Sequence, residues 1–294
     1  MEETRVNGVF LPGVRLPEQI RAVDTFEAAL AGADMVIGAM PSHVAREVYT
    51  LMLPWLAPGV KIVSATKGLE ERTLLRMSQV IGSVVRPDAK IAVLSGPTFA
   101  PEVAEGNPTA VVVASDSESL VDETQRRFSG PTFRVYGSAD VAGVEIGGAL
   151  KNVIAIGAGI SDGLGLGHNA AAALMTRGLA EITRLAVAAG ARAETLAGLA
   201  GLGDLVLTCT GDLSRNRQVG LKLASGLRLG QILESTQTVA EGVKTTSAAL
   251  ELAARYGVDL PITREMHAVL HLGRAPGDAI RNLMTRTLRS EARN

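Results

Sequence analysis

Lys151 is the residue of this chain whose surroundings best suit proton transfer. It is the only charged side chain between Glu145 and Asp162, in the segment GGALKNVIA (147–155). Burial disfavours the charged form of a lysine and lowers its pKa. An amine with a pKa near neutral can accept and return a proton. The alternative is a lysine at a helix end whose ammonium reaches water, and the segment taken alone favours that alternative.

A second group of polar residues follows in three short segments. They are GLGD (201–204), TCTGD (208–212) and SRNR (214–217). Ser214 is suited to cap a helix, and the amino end of a helix offers free N–H groups and positive potential to a phosphate. Arg215 adds a guanidinium that can bind phosphate through two hydrogen bonds. Asp204 and Asn216 can hydrogen-bond hydroxyls. The alternative is a capped surface helix with solvated arginines, which for Arg215 alone is the better interpretation.

The elements that must position these residues differ between the two halves of the chain. Apolar runs in the first half cover residues 33–39, 60–65, 91–95, 110–114 and, more weakly, 132–136. Helical patterns lie between them, at 42–53 with Ser42 as the cap, at 70–82 and at 117–128. Apolar strands that alternate with helices predict a parallel sheet covered on both faces.

Ligands bind such a sheet beyond the carboxyl ends of its strands. Three of these ends carry polar or glycine-rich residues, namely PS (41–42), TKG (66–68) and GPT (96–98). Parallel strands would bring all three to one edge, with Lys67 as the nearby cation. A binding site is therefore expected there, and the alternative for Lys67 is a solvated loop lysine.

The second half is helical and rich in small residues. Glycine, alanine and branched residues at 147–160 are typical of closely packed buried helices, and further helices are predicted at 169–189, 243–256, 263–272 and 276–288. The segment GLGHNA (165–170) fits G-x-G-x-x-A, but no strand precedes it and no acid follows at the required distance, so it predicts a turn between helices. Two domains are expected, at 1–143 and 144–294, with a cleft between them.

Composition narrows the class of protein. The 294 residues are 47% hydrophobic with a net charge of −1, which gives no electrostatic basis for binding nucleic acid or acidic membranes. No apolar run reaches the length of a membrane span, the first residues lack the pattern of a signal peptide, and Cys209 is the only cysteine. His267 and His271 share a helix face without a third ligand, so no metal site is expected. A soluble cytoplasmic protein is predicted.

Several segments, taken in order, carry a resemblance to a known family. They are FLPG (10–13), SATKG (64–68), LSGPTFA (94–100), ALKNV (149–153), the run from Gly201 through Asn216, and VAEG (239–242). Together they resemble the bacterial NAD(P)-dependent glycerol 3-phosphate dehydrogenases. The resemblance implies a Rossmann-like parallel-sheet domain followed by an all-α domain like that of 6-phosphogluconate dehydrogenase.

The resemblance also implies an activity and a role for individual residues. The activity is the interconversion of dihydroxyacetone phosphate and glycerol 3-phosphate with NAD or NADP, feeding glycerophospholipid synthesis. Lys151 matches the proton-transferring lysine, and Lys67 matches a lysine that contacts both substrate and cofactor and lowers the pKa of its neighbour. The other implied substrate contacts are Gly96, Thr98, Asp204, Ser214, Arg215 and Asn216. The implied cofactor contacts are Lys67, Ala100, Arg215, Val239 and Glu241.

The chain departs from the family at its amino terminus. The family begins with a strand, the loop G-x-G-x-x-G, a helix and a second strand, about 30 to 40 residues that have no counterpart here. The sheet domain is thus expected to be truncated. A start codon placed too far downstream is favoured over a truly shortened protein, because the other segments are intact. NAD cannot be separated from NADP, since the residue after the second strand decides between them.

Two alternative functions remain open at this stage. One is a related dehydrogenase that acts on another small acid or phosphate. The other is a shortened, non-catalytic protein that binds a phosphometabolite or pairs with a subunit. A homodimer is also left open, because the sequence does not fix the oligomeric state.

Overall fold

The computed structural model of the chain describes residue 1, residues 4–235, residues 239–288 and residue 290. The strands are β1 (Val6–Asn7), β2 (Leu11–Arg15), β3 (Met35–Gly38), β4 (Lys61–Ser64), β5 (Lys90–Ser95), β6 (Thr109–Ala114) and β7 (Phe133–Ser138). The helices of the first half are α1 (Phe26–Leu30), α2 (Ala45–Met52), α3 (Met77–Gly82), α4 (Ala100–Ala104) and α5 (Glu118–Phe128). Those of the second half are α6 (Val141–Gly163), α7 (Gly167–Ala188), α8 (Ala193–Leu196), α9 (Asp204–Thr210), α10 (Arg215–Ala224), α11 (Leu229–Glu234), α12 (Glu241–Tyr256), α13 (Pro261–His271) and α14 (Pro276–Met284).

The main sheet has the order β3-β4-β5-β6-β7. Strands β3, β4 and β5 are parallel, so the segments 41–42, 66–68 and 96–98 meet at one edge, as predicted. The pairing of β5 with β6 is antiparallel, which differs from the expected all-parallel sheet. The connection between them contains only the five-residue helix α4 and reverses the chain instead of crossing over the sheet. The sheet domain is therefore Rossmann-like with one antiparallel pair.

Three predicted helices differ from the structure by more than two residues at one end. The segment from Ser42 to Val44 is a 3₁₀ turn and α2 begins at Ala45, because Ser42 bonds Glu241 instead of capping a helix. The predicted helix at 70–82 is reduced to α3, since Leu74 adopts φ 61° and the preceding residues form a turn. The helix predicted at 276–288 ends at Met284.

Helix α6 forms the centre of the second half. Nearly every residue from Gly143 to Ser161 is buried, and helices α7, α9, α10 and α12 pack around it. By length and composition α6 could cross a membrane, yet 89% of its apolar window is buried inside the protein, which is typical of a core helix. A side chain at Gly159 or Gly220 would overlap the backbone of the opposite helix, so α6 and α10 pack backbone to backbone.

Candidate active site

Lys151 lies at the centre of a buried cluster that joins both halves of the chain. Its Nζ donates to Asp204 Oδ1, and to Thr208 Oγ1 at 2.8 Å. From the sheet domain, Lys67 Nζ donates to Asp204 Oδ2 at 2.6 Å and to the carbonyl oxygen of Gly96 at 3.0 Å. One carboxylate thus accepts hydrogen bonds from two lysines that are far apart in the sequence.

The electrostatics of this cluster favour a lysine that changes protonation. The side chains of Lys151 and Asp204 are 8% and 1% exposed, whereas Lys67 is 20% exposed and reaches the surface. Burial and the charge of Lys67 lower the pKa of Lys151, Asp204 opposes both effects, and the resulting pKa is about 7. Lys151 is therefore poised to exchange a proton near neutral pH.

Glycines in α6 allow the elements of the cluster to approach one another. A Cβ added at Gly148 would lie 2.7 Å from Ser95 Oγ and 3.7 Å from Lys67 Cγ. A Cβ added at Gly147 would lie 2.8 Å from the carbonyl oxygen of Ala200, in the π-helical turn that leads into Asp204. Two adjacent glycines thus let α6 contact the end of β5 on one side and the start of α9 on the other.

The predicted phosphate cluster lies at the amino end of α10. Ser214 Oγ accepts a hydrogen bond from the Arg217 backbone N–H at 3.2 Å, which is the predicted cap. Asn216 is buried, where it donates to Asn152 Oδ1 at 3.0 Å and accepts from the Gly242 N–H at 2.9 Å. Arg215 is exposed and forms no hydrogen bond or ion pair with the described residues. Its guanidinium is therefore available to an anion.

Glu241, at the start of α12, contacts the loop after β3. Its carboxylate accepts hydrogen bonds from the Ser42 N–H at 3.0 Å and from Ser42 Oγ at 2.5 Å. Gly68 lies against the same pair, because an added Cβ would be 2.6 Å from Ser42 and 3.1 Å from Glu241 Oε2. The carboxyl ends of β3 and β4 and the start of α12 thus form one surface.

The remaining predicted contacts are not part of the hydrogen-bonded cluster. Thr98 Oγ1 donates to the carbonyl oxygen of Gly96 at 3.1 Å. Ala100 is exposed at the start of α4, and Val239 is partly buried before α12. None of Thr98, Ala100 and Val239 is hydrogen-bonded to Lys151 or Asp204.

Sequence reasoning gave Thr208 no role of its own within its polar segment, and it predicted Ser42 as a helix cap and not as a partner of Glu241. Thr208 follows Asp204 by four residues, and this spacing places both on one helix face, so it could have been identified. Ser42 meets Glu241 across 199 residues, and no local pattern predicts such a contact.

A dinucleotide is the cofactor that the family resemblance implies, and part of the site fits it. Lys67 and Glu241 place a donor and an acceptor at the carboxyl ends of β3 to β5, where such cofactors bind. Gly68 and Gly96 let the backbone at these ends pack closely against its neighbours, because a Cβ would lie 2.6 Å from Ser42 and 3.0 Å from Val111 Cα. Within the described ranges no strand leads into a G-x-G-x-x-G turn. These residues therefore fit the nicotinamide end of a dinucleotide and not its pyrophosphate.

Comparison with known proteins places the chain in one family. The family description "NAD-dependent glycerol-3-phosphate dehydrogenase" matches twice, through its N-terminus at residues 1–121 and through its C-terminus at residues 140–281. A glycerol-3-phosphate dehydrogenase [NAD(P)+] of Koribacter versatilis is 56% identical over 98% of this chain and 86% of its own length. That of Geobacter sulfurreducens is 53% identical over 99% of this chain and 88% of its own length.

Solved structures agree with the sequence comparison. The crystal structure of glycerol-3-phosphate dehydrogenase from Coxiella burnetii superposes with a TM-score of 0.93 at 40% identity, over 97% of this chain and 87% of that one. A ketopantoate reductase from Ralstonia eutropha, at 15% identity and a TM-score of 0.54, shares the fold alone. The chain therefore belongs to the NAD-dependent glycerol-3-phosphate dehydrogenase family.

Proposed function

We propose that this protein interconverts dihydroxyacetone phosphate and sn-glycerol 3-phosphate, with NAD or NADP as the hydride carrier. The observation that carries the proposal is the Lys67–Asp204–Lys151 arrangement, together with the unpartnered guanidinium of Arg215 at the amino end of α10, a helix that packs against α6. It combines a titratable amine with a phosphate-binding group, as the reduction of a phosphorylated ketone requires. We propose that the chain divides into a sheet domain at 1–143 and a helical domain at 144–294 that resembles that of 6-phosphogluconate dehydrogenase.

Lys151 is the proposed catalytic acid and base. When bound, the nicotinamide supplies or accepts the hydride at the carbonyl carbon. As an ammonium, Lys151 stabilises the developing charge on the carbonyl oxygen and donates a proton to it. In the reverse direction the neutral amine accepts the hydroxyl proton. A pKa of about 7 makes both protonation states accessible at neutral pH.

Asp204 and Thr208 hold the reacting amine in place. Both accept hydrogen bonds from Lys151 Nζ, and Thr208 Oγ1 also donates to the Asp204 carbonyl oxygen at 2.6 Å. Lys67 shares Asp204 and keeps the pKa of Lys151 low. We propose that Lys67 contacts the substrate as well, because its side chain is the more exposed of the two.

The phosphate group of the substrate is assigned to the amino end of α10. Arg215 supplies the fixed charge and the helix supplies free N–H groups, while Ser214 and Asn216 shape the end of the helix. Gly96, Thr98 and Asp204 complete the proposed substrate contacts. Lys67, Ala100, Arg215, Val239 and Glu241 are the proposed cofactor contacts.

The test is a kinetic assay of the full chain with NADH and with NADPH. We expect oxidation of the reduced cofactor with dihydroxyacetone phosphate, and a large loss of kcat/KM with dihydroxyacetone, which lacks the phosphate. Equal rates with both ketones would contradict the role of Arg215. Preference for another small acid would indicate a different dehydrogenase, and failure to bind either nicotinamide would indicate a non-catalytic protein.

The cellular location, the metabolic role and the assembly of the enzyme are part of the same proposal. We place it in the cytoplasm, with glycerol 3-phosphate passing to the acylation reactions of phospholipid synthesis. A homodimer is the assembly we propose to test by sedimentation equilibrium.

A further inference from the structure

A large groove lies on the side of the helical domain formed by α7, α13 and α14. Its volume is about 1220 Å³, and its lining includes Arg177, Arg184 and Arg286 but neither Lys151 nor Asp204. The groove is therefore a separate feature from the candidate active site. We refer to it below as the α7 groove.

Two of its arginines have donors that no described residue of the protein uses. Arg184 Nη2 donates to the backbone oxygen of Asp259 at 3.1 Å, while its Nη1 is buried without a hydrogen-bond partner. Arg177 forms no hydrogen bond or ion pair with any residue that the structure describes. The two guanidiniums are close enough that the charge of Arg177 adds to the lowering of the Arg184 pKa, which is caused chiefly by burial. Since they lie seven residues apart on α7, they share one face of the helix.

The carboxylates that line the α7 groove form their hydrogen bonds and ion pairs with groups other than Arg177 and Arg184. Glu181 accepts hydrogen bonds from the N–H groups of Ile262 and Thr263 at the start of α13, at 2.6 and 3.2 Å. Burial raises the pKa of Glu181 to about 7, which weakens its negative charge. The carboxylate of Asp259 pairs with Arg264 and Arg286. Glu181 and Asp259 therefore offset only part of the charge of Arg184, and within the described chain neither Arg177 nor Arg184 forms an ion pair with a carboxylate.

The rest of the lining is mostly apolar. It includes Leu166, Leu174, Val187, Leu283 and Met284. Leu166 is 40% exposed, Val187 46% and Met284 80%, so much apolar surface faces the opening. A ligand that fills the groove would therefore need a hydrocarbon part as well as a negative charge.

We propose that the α7 groove binds an amphipathic anion, an alkyl chain that carries a phosphate or carboxylate head group. Arg177 and Arg184 bind the head group, and the side chains of α7 and α14 cover the alkyl chain. A guanidinium binds either anion through paired N–H donors, so both head groups satisfy the unused donors. The site is independent of the reaction proposed for Lys151.

Isothermal titration of the full chain tests this proposal with four probes below their micelle concentrations. Decyl phosphate and decanoate combine head group and chain, whereas inorganic phosphate has only the charge and decanol only the chain. We expect one equivalent of decyl phosphate or decanoate to bind, with both other probes at least tenfold weaker. Saturating glycerol 3-phosphate should not displace decyl phosphate, because the two sites are separate.

Substitutions in the α7 groove locate the head group. Arg184→Gln should weaken decyl phosphate binding at least tenfold. Arg177→Gln should weaken it at least tenfold as well, and because this variant keeps the guanidinium of Arg184, it controls for a folding defect. Arg281→Gln is the matched control, because Arg281 pairs with Asp278 on α14 outside the lining and should bind as the parent does. Circular dichroism verifies that each variant is folded.

Three outcomes would overturn the proposal. The first is absence of decyl phosphate binding, and the second is equal affinity in the parent and both groove variants. The third is a dimer in sedimentation equilibrium that Val187→Glu dissociates and that binds no decyl phosphate, since the groove would then be an interface between copies.

Discussion

Two regions of this protein bring pairs of cations together, and they do so in opposite ways. At the active site, Asp204 lies between Lys67 and Lys151 and accepts a hydrogen bond from each. In the α7 groove, Arg177 and Arg184 approach each other without a shared carboxylate. The first pair shares a hydrogen-bonded carboxylate of the protein, whereas the second has no such ion pair and can be neutralised by a bound anion.

The type of cation explains the difference. A buried lysine can release its proton, so repulsion between Lys67 and Lys151 is expressed as a lowered pKa. A guanidinium stays charged in a protein, so repulsion between Arg177 and Arg184 is relieved only by an anion. The lysine pair therefore suits proton transfer, and the arginine pair suits binding.

Removing the titratable amine should have the largest effect. We expect Lys151→Met to lower kcat by about 10²- to 10⁴-fold, the usual contribution of general acid–base catalysis. Methionine keeps most of the volume, and the loss of a buried amine should leave the free energy of unfolding unchanged or raised. Steady-state kinetics and urea unfolding measure both, with exposed Lys90→Met as the control. Turnover near the parent value would refute the role of Lys151.

Removing the shared carboxylate should have the next largest effect. Asp204→Asn leaves two lysines facing each other, and we expect it to lower the free energy of unfolding by about 3 kcal/mol. The apparent pKa of Lys151 should fall as well, because Asp204 is the group that raises it. Urea unfolding and pH–rate profiles test this, with Asp212→Asn, at a side chain 91% exposed, as the control. Unchanged stability and an unchanged profile would show that the lysines do not depend on Asp204.

The pH dependence should separate the two directions of the reaction. Reduction needs the ammonium form of Lys151, so its kcat/KM should fall about tenfold per pH unit above a pKa of about 7. Oxidation needs the neutral amine, so its kcat/KM should rise with pH up to that pKa and then level. Steady-state kinetics in both directions from about pH 5.5 to 9 measures the slopes. Profiles of the same sign would exclude Lys151 as the shared acid and base.

Lys151 also links stability to pH. Its pKa is lowered from 10.5 in the ordinary amine to about 7 in the folded protein. Between these values the unfolded chain binds the proton that the folded protein has released, so the contribution of Lys151 to stability increases with pH. This increase should be absent in Lys151→Met.

Glu181→Gln should have the smallest effect on activity, within about twofold, because Glu181 belongs to the groove. The folded pKa of about 7 lies above the ordinary 4.5, so the folded protein keeps a proton that the unfolded chain releases. Its contribution to stability therefore falls by about 3 kcal/mol as pH rises through this interval. Urea unfolding at several pH values should show that glutamine removes this slope, whereas Glu194→Gln, at an exposed position, keeps it. A slope that persists in Glu181→Gln would assign it to other groups.

Local patterns predicted much of the scaffold and little of the long-range pairing. The apolar runs located five strands, and the carboxyl ends of β3, β4 and β5 meet as expected because parallel strands must align there. The direction of β6 was not predictable, since an apolar run reads the same in both directions. The bounds of α2 were wrong because Ser42 is bound by Glu241, a residue of the distant helical half.

In the candidate site, too, the sequence predicted a local feature but not a long-range contact. The cap at Ser214 follows from local side-chain chemistry, and the structure has it. The pairing of Lys67 with Asp204 joins residues 137 positions apart, so only the family resemblance brought them together in advance. The unused donor of Arg184 could not be predicted from the sequence, because a solvated arginine and a buried arginine have the same sequence pattern.

The direct contact between α6 and α10 at Gly159 and Gly220 has a consequence for selectivity. Helix α6 carries Lys151 and helix α10 carries Arg215. At this crossing the two helices contact each other through peptide groups, which do not rearrange as side chains do. The spacing of the two helices is therefore fixed at this crossing, and with the phosphate assigned to the amino end of α10 it limits the length of the substrate. An alanine at either glycine would force the helices apart, and we expect it to shift preference toward longer phosphorylated ketones.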